Sequence, residues 1–197
     1  MEMPIFELQM GEDWTEVSLI SFVDDPAIKR NFFKFRATAD PFKFSAQEDK
    51  RIVTGPVLIP DVIIPRNIRG VIFNVVFRAE QIKKIYEKVM ASGSYQNANF
   101  MHSAELDEND CHIYECFMSD KSRGIMAPAG FEDLPDLTWY MSHKITSDEL
   151  WEMIKSGKIS GYSIEGHFKM IPVNEDDLDA ERIMKDLQDL ADLIKNS

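Results

Sequence analysis

Apolar and polar positions form strand-like patterns over six stretches of this chain, and each stretch predicts a β-strand. The stretches are Glu16–Val23, Arg51–Ile59, Val71–Phe77, His112–Met118, Leu137–Lys144 and Ile159–Ile171. Turn-forming residues bound them, since Asp24-Asp25-Pro26 ends the first and Gly70 precedes the third. The Gly55-Pro56 pair inside the second stretch predicts a bulge or an edge strand.

Three other segments repeat their apolar residues at helical spacing, which predicts α-helices. The first runs from Ala79 to Ser92, carries one apolar stripe and ends at Gly93. The second is short and is predicted to begin with a capping box, in which Thr146 caps the helix and Glu149 returns the hydrogen bond. The third runs from about residue 176 to residue 194, with acidic residues on the face opposite its apolar stripe.

The order of these elements predicts an α+β fold, because six or seven strands and three helices show no β-α-β alternation. An antiparallel sheet or barrel would form its base. We expect a domain over residues 16–173, an N-terminal extension over 1–15 and an acidic amphipathic helix over 174–197. Residues 31–50 form a Phe-rich and then polar connector. It is interpreted either as a loop that packs aromatic rings on the core or as a docking arm for a partner.

Composition narrows the function classes. The net charge is −12, and no basic patch offsets it, which argues against nucleic-acid binding because phosphates would be repelled. No apolar run is long enough to cross a bilayer, and the first residues lack the basic segment of a secretory signal. We therefore expect neither a nucleic-acid partner nor a membrane partner.

The cysteines and histidines give no sign of a metal or a disulfide. Cys111 and Cys116 are five residues apart, and this odd offset in a strand predicts opposite faces, hence reduced thiols in a cytosolic setting. The four histidines have separations that fit no compact ligand motif. The common nucleotide, dinucleotide, calcium and zinc-protease motifs are also absent from the sequence. No cofactor is expected.

The strand around Ser163 could supply a nucleophile. Alternation places Gly161, Ser163, Glu165 and His167 on one face. The other face, toward the core, carries Tyr162, Ile164 and, after an expected bulge at Gly166, Phe168. Flanking glycines would let a substrate backbone approach closely. The competing interpretation is a solvated outer face of an edge strand. A base must reach the serine hydroxyl through space, so spacing alone does not select one of the four histidines.

Glu115 stands out in its predicted strand because alternation places it with Ile113 and Phe117, in an apolar layer. A buried carboxylate is costly without a partner. One partner would be an imidazole, which the carboxylate would orient as the third member of a catalytic triad. The other interpretation is an ion pair with a lysine or an arginine.

Six segments carry a resemblance to a known family in their order and spacing. They are Val17–Ile28, Thr54–Pro60, Asn99–His102, Tyr114–Phe117, Leu150–Gly157 and Gly161–Gly166. Together they resemble the prohead, or capsid maturation, serine proteases of tailed phages, particularly the XkdF-like branch known from defective Bacillus prophages. The similarity covers roughly residues 16–171.

The resemblance implies a fold like that of the herpesvirus assemblins, a bent antiparallel β-barrel wrapped by about three helices. It also implies a serine endopeptidase that needs no cofactor and cleaves scaffold and capsid-protein segments during head assembly. Carried over by motif, Ser163 is the nucleophile and His102 is the general base. The third member is expected to be Glu115, with Glu165 and His167 as alternatives.

The same resemblance implies the partners and the location. The substrates would be the scaffold protein and the major capsid protein, and a second copy of the chain could form a homodimer. The protein would act in the host cytoplasm, inside the prohead or virion. Backbone N–H groups near Arg123-Gly124 are candidates for the oxyanion hole. The alternative is a catalytically silent virion or scaffold-associated protein that binds through its acidic helix.

Overall fold

A computed structural model describes most of the chain. The described residues are 3–10, 17–23, 50–68, 70–96, 98–100, 104–105, 109–166, 168–173 and 183–189. Over these residues the chain forms eleven strands, two α-helices with defined bounds and a further helical segment at 183–189. The predicted α+β class is confirmed.

The strands are numbered in chain order. They are β1 Ile5–Met10, β2 Val17–Val23, β3 Ile52–Leu58, β4 Ile64–Ile68, β5 Val71–Val76, β6 Ala98–Phe100, β7 Ala104–Glu105, β8 Cys111–Met118, β9 Trp139–Ile145, β10 Gly161–Gly166 and β11 Phe168–Pro172. The helices are α1 Ala79–Ser92 and α2 Asp148–Lys155, and two 3-10 turns span Ser94–Gln96 and Lys121–Arg123. Sequence patterns predicted β2, β3, β5, β8 and β9 closely but missed β1, β4, β6 and β7.

Three sheets contain these strands. Sheet I has the order β11-β1-β5-β4, sheet II has β10-β2-β6-β7 and sheet III has β3-β9-β8. The pairs β1–β5 and β2–β6 are parallel, so the expectation of purely antiparallel pairing is wrong for these two pairs. Parallel neighbours need a long crossover, and in both cases other elements lie between the paired strands in the sequence. A closed barrel stays a prediction, because the described strands fall into three separate sheets.

The predicted long strand over residues 159–171 is divided between two sheets. Its first part, β10, pairs with β2, and its second part, β11, pairs with β1. The register shifts between Glu165 and Gly166, which confirms the expected bulge. A bulge bends the strand that contains it, and here the chain passes from sheet II to sheet I at that point.

The N-terminal stretch contains a central strand of sheet I. β1 lies between β11 and β5, and Phe6 is fully buried with its ring edge-on to Phe73 at 5.7 Å. Ile5–Met10, within the range expected as an N-terminal extension, are therefore part of the packed sheet. The signal was present in the sequence, because Phe6 and Leu8 alternate with Glu7 and Gln9. The predicted domain boundaries at 16 and 173 stay predictions.

Sheet III is the centre of the fold. Trp139, Tyr140 and Met141 of its middle strand, β9, are all fully buried, so both faces of this strand are covered. α1 buries Ile82, Ile85 and Val89, and α2 lies against β9. β10 lies against β3, and the Ser94–Gln96 turn contacts both β2 and β8. Sheets II and III thus approach each other at two places.

The observed ends of α1 and α2 can be compared with the predicted capping residues. α1 ends as predicted at Gly93, whose φ of 74° favours glycine. The cap of α2 is one residue from the predicted position, because Ser147 Oγ accepts a hydrogen bond from the Leu150 N–H at 3.3 Å. Thr146 instead donates its hydroxyl proton to the Asn109 carbonyl. Two adjacent hydroxyl residues can both begin a helix, and the box spacing indicated the wrong one.

The predicted C-terminal helix falls only partly within the described residues. Residues 183–189 are helical, and Ile183 is buried. The remainder of the predicted range lies outside the described residues. Within the part of the chain that the structure describes, no helix is long and apolar enough to cross a membrane.

Candidate active site

Ser163 lies in the middle of β10 and is half-buried. Its register partner in β2 is Ser21, and the partner of Ser21 in β6 is Asn99. The two neighbours of Ser163 in the chain differ, since Tyr162 is buried in the core and Ile164 is half-buried. The predicted alternation is therefore confirmed at Tyr162 and Ser163. The placement of His167 and of the Glu165 side chain lies outside the described residues, and their roles stay predictions.

His102 also lies outside the described residues, but the strands on each side of it are described. β6 ends at Phe100, whose register partner is Ala104, and residues 101–103 connect the two. His102 follows Phe100 by two residues in the sequence. Only β2 separates β6 from β10, a backbone spacing of about 10 Å. Sheet II therefore brings together two segments about sixty residues apart in sequence.

Glu115 does not have the apolar surroundings expected from the sequence. Glu115 is exposed, and a register shift lies between Ile113 and Glu115, so that Ile113 pairs with His143 and Glu115 pairs with Ser142. Adjacent residues of β9 point to opposite faces of the sheet. Glu115 and Ile113 therefore lie on opposite faces, because Tyr114 is an extra residue in β8. Regular alternation could not reveal this bulge.

Glu115 instead ends a chain of hydrogen bonds across sheet III. Ser142 Oγ donates to Glu115 Oε2 at 2.7 Å, and Thr54 Oγ1 lies 2.8 Å from Ser142 Oγ. A serine hydroxyl has a single proton, so Thr54 is the donor in the second bond. Ser142 is fully buried and Thr54 nearly so. These two hydrogen bonds join all three strands of the sheet. Local sequence patterns did not predict them, because the partners are far apart in sequence.

The same bulge corrects the prediction for the cysteines. Cys111 pairs with Ile145 and Cys116 pairs with Met141, two β9 residues on one face, so the two thiols share a face. Both cysteines are nevertheless free. Their β9 partners are four residues apart, which corresponds to about 13 Å along the strand. This separation is too large for a disulfide. The conclusion that they do not bridge holds for a different reason.

Cys116 is not suited to act as a nucleophile. Burial raises the pKa of its thiol to about 11, although Trp139 Nε1–H donates a hydrogen bond to the sulfur. A thiol with this pKa stays protonated near neutral pH, whereas the thiolate is the reactive form. Among the described nucleophile candidates, the serine of β10 is the one that the sequence motif indicates.

A buried histidine–tyrosine pair lies behind Ser163. His143 Nδ1 and Tyr162 Oη are 2.8 Å apart, and the two side chains are 2% and 1% exposed. Burial, with a smaller contribution from His112, lowers the pKa of His143 to about 3. Burial also raises the pKa of Tyr162. The alternation of β10 predicted that Tyr162 faces the core but gave no sign of its partner, although a buried tyrosine hydroxyl usually needs one.

The backbone groups suggested for the oxyanion hole are hydrogen-bonded inside their own turn. The Arg123 N–H donates to the Asp120 carbonyl at 3.0 Å, and the Gly124 N–H donates to the Lys121 carbonyl at 3.1 Å. Gly124 adopts a positive φ of 76°, as the end of this 3-10 turn requires. In this structure both N–H groups therefore already have acceptors.

Comparison with known proteins gives the chemistry that this geometry could support. The model of one family, described as "Putative phage serine protease XkdF", matches residues 42–172. This match covers more than half of the chain. The chain belongs to this family. The resemblance seen in the sequence motifs is thereby confirmed, and at the level of the family the chemistry is that of a phage serine protease.

Two curated relatives come from Bacillus subtilis (strain 168). The "Phage-like element PBSX protein XkdF" is 29% identical over 164 residues, which are 77% of this chain and 52% of the relative. The "Uncharacterized protein YqbD" is 26% identical over 192 residues, which are 92% of this chain and 53% of the relative. The chain thus spans about half the length of the curated relatives it matches. No solved structure matches the chain.

Proposed function

We propose that this chain is a phage serine endopeptidase that cleaves scaffold and capsid-protein segments during head assembly. The observation that carries the proposal is the order of sheet II, in which one strand separates the Ser163 strand from the strand that leads to His102. Membership in the XkdF family supports the protease chemistry. Action inside the prohead and an assemblin-like barrel are further parts of this proposal.

The proposed reaction follows the serine-protease pattern. His102 takes the proton of Ser163 Oγ while the oxygen attacks a peptide carbonyl. The protonated imidazole then gives this proton to the leaving amine, and an acyl-enzyme remains on Ser163. Water, deprotonated by the same imidazole, hydrolyses the ester and frees the serine. No cofactor takes part in any of these steps.

Co-expression with the scaffold and major capsid proteins of the same phage element tests the proposal. We expect intact-mass spectrometry to find fragments of one or both partners when this chain is present, and none when it is left out. Each new mass locates a cleavage site. Partners that stay intact but copurify with the chain would instead favour the alternative of a catalytically silent binding protein.

We further propose that Glu115 is the third member of the triad, and the Ser142 hydrogen bond provides a sharp test. We expect Glu115→Gln to lower the cleavage rate at least about 100-fold, because an amide cannot stabilise the imidazolium as a carboxylate does. The rate is measured as fragment formation against time. The Ser94–Gln96 turn contacts both β8 and β2, so the strand of Glu115 approaches sheet II.

Ser142→Ala is the matched control, because it removes this hydrogen bond and keeps the carboxylate, whereas the amide oxygen introduced by Glu115→Gln can still accept the Ser142 proton. It is expected to cost about 1–3 kcal/mol of stability, since Thr54 loses its acceptor, and to change the rate little. Equal effects of the two substitutions on the rate would show that Glu115 only stabilises sheet III. Glu165 and His167 would then be the remaining candidates for the third member.

A further inference from the structure

Within the part of the chain that the structure describes, backbone pairing holds the Ser163 strand from one side. Among the described strands, β10 is at the edge of sheet II and forms a ladder with β2 alone. β10 also contacts β3, which belongs to sheet III and forms its own ladder with β9. An edge strand with one ladder has more freedom to shift than a strand paired on both sides. Other contacts must set the position of β10 relative to sheet III.

The Tyr162–His143 hydrogen bond makes such a contact next to Ser163. Tyr162 immediately precedes Ser163, and its hydroxyl reaches His143 Nδ1 at 2.8 Å. His143 lies in β9, the central strand of sheet III. The two rings are also in contact, with centroids 5.4 Å apart. A buried side-chain bond thus joins the strand of the candidate nucleophile to the central strand of sheet III, six of whose seven residues are buried.

The bond joins two neutral groups. His143 is uncharged over the working range because burial lowers its pKa to about 3, and Tyr162 stays a phenol because burial raises its pKa. The smaller, coulombic contribution to the first shift comes from His112, which is exposed. Near neutral pH, both partners of the hydrogen bond are therefore neutral in every folded molecule. A constant hydrogen bond suits a positioning role better than a proton-transfer role.

We propose that the Tyr162–His143 hydrogen bond positions Ser163 for attack by holding β10 at a fixed depth and tilt against sheet III. Because alternate residues of a strand face opposite sides, a bond at Tyr162 on the core side sets where the Ser163 hydroxyl stands on the other side. Both residues are positioning residues and touch no substrate. The inference rests on the proposed serine-protease function and adds a residue pair that the triad does not include.

Reaction with a fluorophosphonate probe measures the position of the serine without a protein substrate. Ser163 Oγ forms a bond to phosphorus, the phosphorus–fluorine bond breaks, fluoride leaves and the serine proton passes to the base. We expect Tyr162→Phe to lower the maximal labelling rate about 10- to 100-fold, the effect of a displacement of about 1 Å. The concentration for half-maximal labelling should change little, because the probe meets the same surface.

Tyr86→Phe is the matched control. It removes one hydroxyl group from another tyrosine, which is half-buried and whose hydroxyl lies 3.5 Å from the Cys116 carbonyl, so the Tyr162–His143 hydrogen bond stays intact. Its labelling rate should equal that of the wild type. The final fraction labelled separates positioning from loss of structure, since a folded but misplaced serine reacts slowly to completion, whereas an unfolded fraction never reacts.

Two substitutions of His143 give an independent test. His143→Leu removes the hydrogen-bond partner and should lower the labelling rate as Tyr162→Phe does. His143→Asn places an amide near the position of Nδ1 and should restore most of the rate. The double variant with Tyr162→Phe and His143→Leu should be no slower than either single variant, because both remove one interaction.

The outcomes separate this inference from the function on which it rests. Wild-type labelling rates in Tyr162→Phe and His143→Leu, together with an active wild type, would overturn the positioning role and leave the protease in place. A wild type that neither reacts with the probe nor cleaves co-expressed head proteins would overturn both proposals. An equal loss of rate in His143→Asn and His143→Leu would also contradict the hydrogen bond as the cause.

Discussion

Replacing Ser163 with alanine is expected to remove all detectable cleavage of the co-expressed scaffold and capsid proteins. The substitution deletes the oxygen that would form the acyl-enzyme, and loss of a serine nucleophile costs a protease about a factor of 10⁶ in rate. Intact-mass spectrometry of the co-expressed proteins measures the result. Fragments present with the wild type should be absent with Ser163→Ala, and the fluorophosphonate adduct should disappear as well.

Ser156→Ala is the control for this experiment. Ser156 is exposed at the end of α2, where its hydroxyl donates to the Met153 carbonyl, so the same chemical change is made outside β10. It should leave the fragments unchanged. Fragments that persist with Ser163→Ala would exclude Ser163 as the nucleophile. Because Ser163 is only half-buried, the smaller side chain is not expected to disturb folding.

The second large effect concerns stability at acid pH. The free energy of unfolding of the wild type is expected to fall by about 2–3 kcal/mol more than that of His143→Asn between pH 7 and pH 4.5. In the unfolded chain the imidazole has its ordinary pKa of 6.5, and in the folded chain burial holds the pKa near 3. Between these values the unfolded state binds one more proton, so acid favours unfolding.

The stability contributed by the neutral His143 ring is therefore complete above pH 6.5 and is lost progressively as the pH falls toward 3. Urea unfolding at several pH values gives the slope. Carboxylates also titrate in this range, so the quantity that tests the prediction is the difference in slope between the wild type and His143→Asn. Asparagine keeps a polar partner for Tyr162 and has no proton to gain.

His112→Gln is the control for the number of histidines. His112 is exposed in β8, so removing its imidazole should leave most of the difference in slope in place. Equal slopes for the wild type and His143→Asn would show that the buried ring does not stay neutral, and the pKa derived from its burial would be wrong. If the pH dependence of the free energy of unfolding disappears in His112→Gln instead, the titrating residue is the exposed His112.

His102 and His143 differ in how clearly the sequence points to them. The segment Asn99–His102 resembles a family motif, so the sequence indicated His102 directly. No motif surrounds His143, and its alternation with Trp139 and Met141 indicates an apolar face but not a partner. Its contact with Tyr162 joins residues in two sheets, and no local pattern contains that information.

Local patterns determined much of the fold because short-range physics suffices for it. Periodicity located α1 and most strands, and Gly93 marked the end of α1, since only glycine adopts a left-handed cap at little cost. The predictions from the sequence were wrong where a single residue changes the local structure. The extra Tyr114 moved Glu115 to the other face of β8, and the adjacent hydroxyl of Ser147 replaced Thr146 as the cap of α2.

By itself, the sequence determined the α+β class, most elements, the family and the serine on β10, because these depend on residue types and their local spacing. Only the tertiary structure decided that β1 is a central strand, that two strand pairs are parallel and that β10 and β6 share a sheet. It also decided which polar groups meet, as Thr54 with Ser142 and Tyr162 with His143. These contacts join residues distant in sequence, and the free energy that selects them comes from burying the whole core at once.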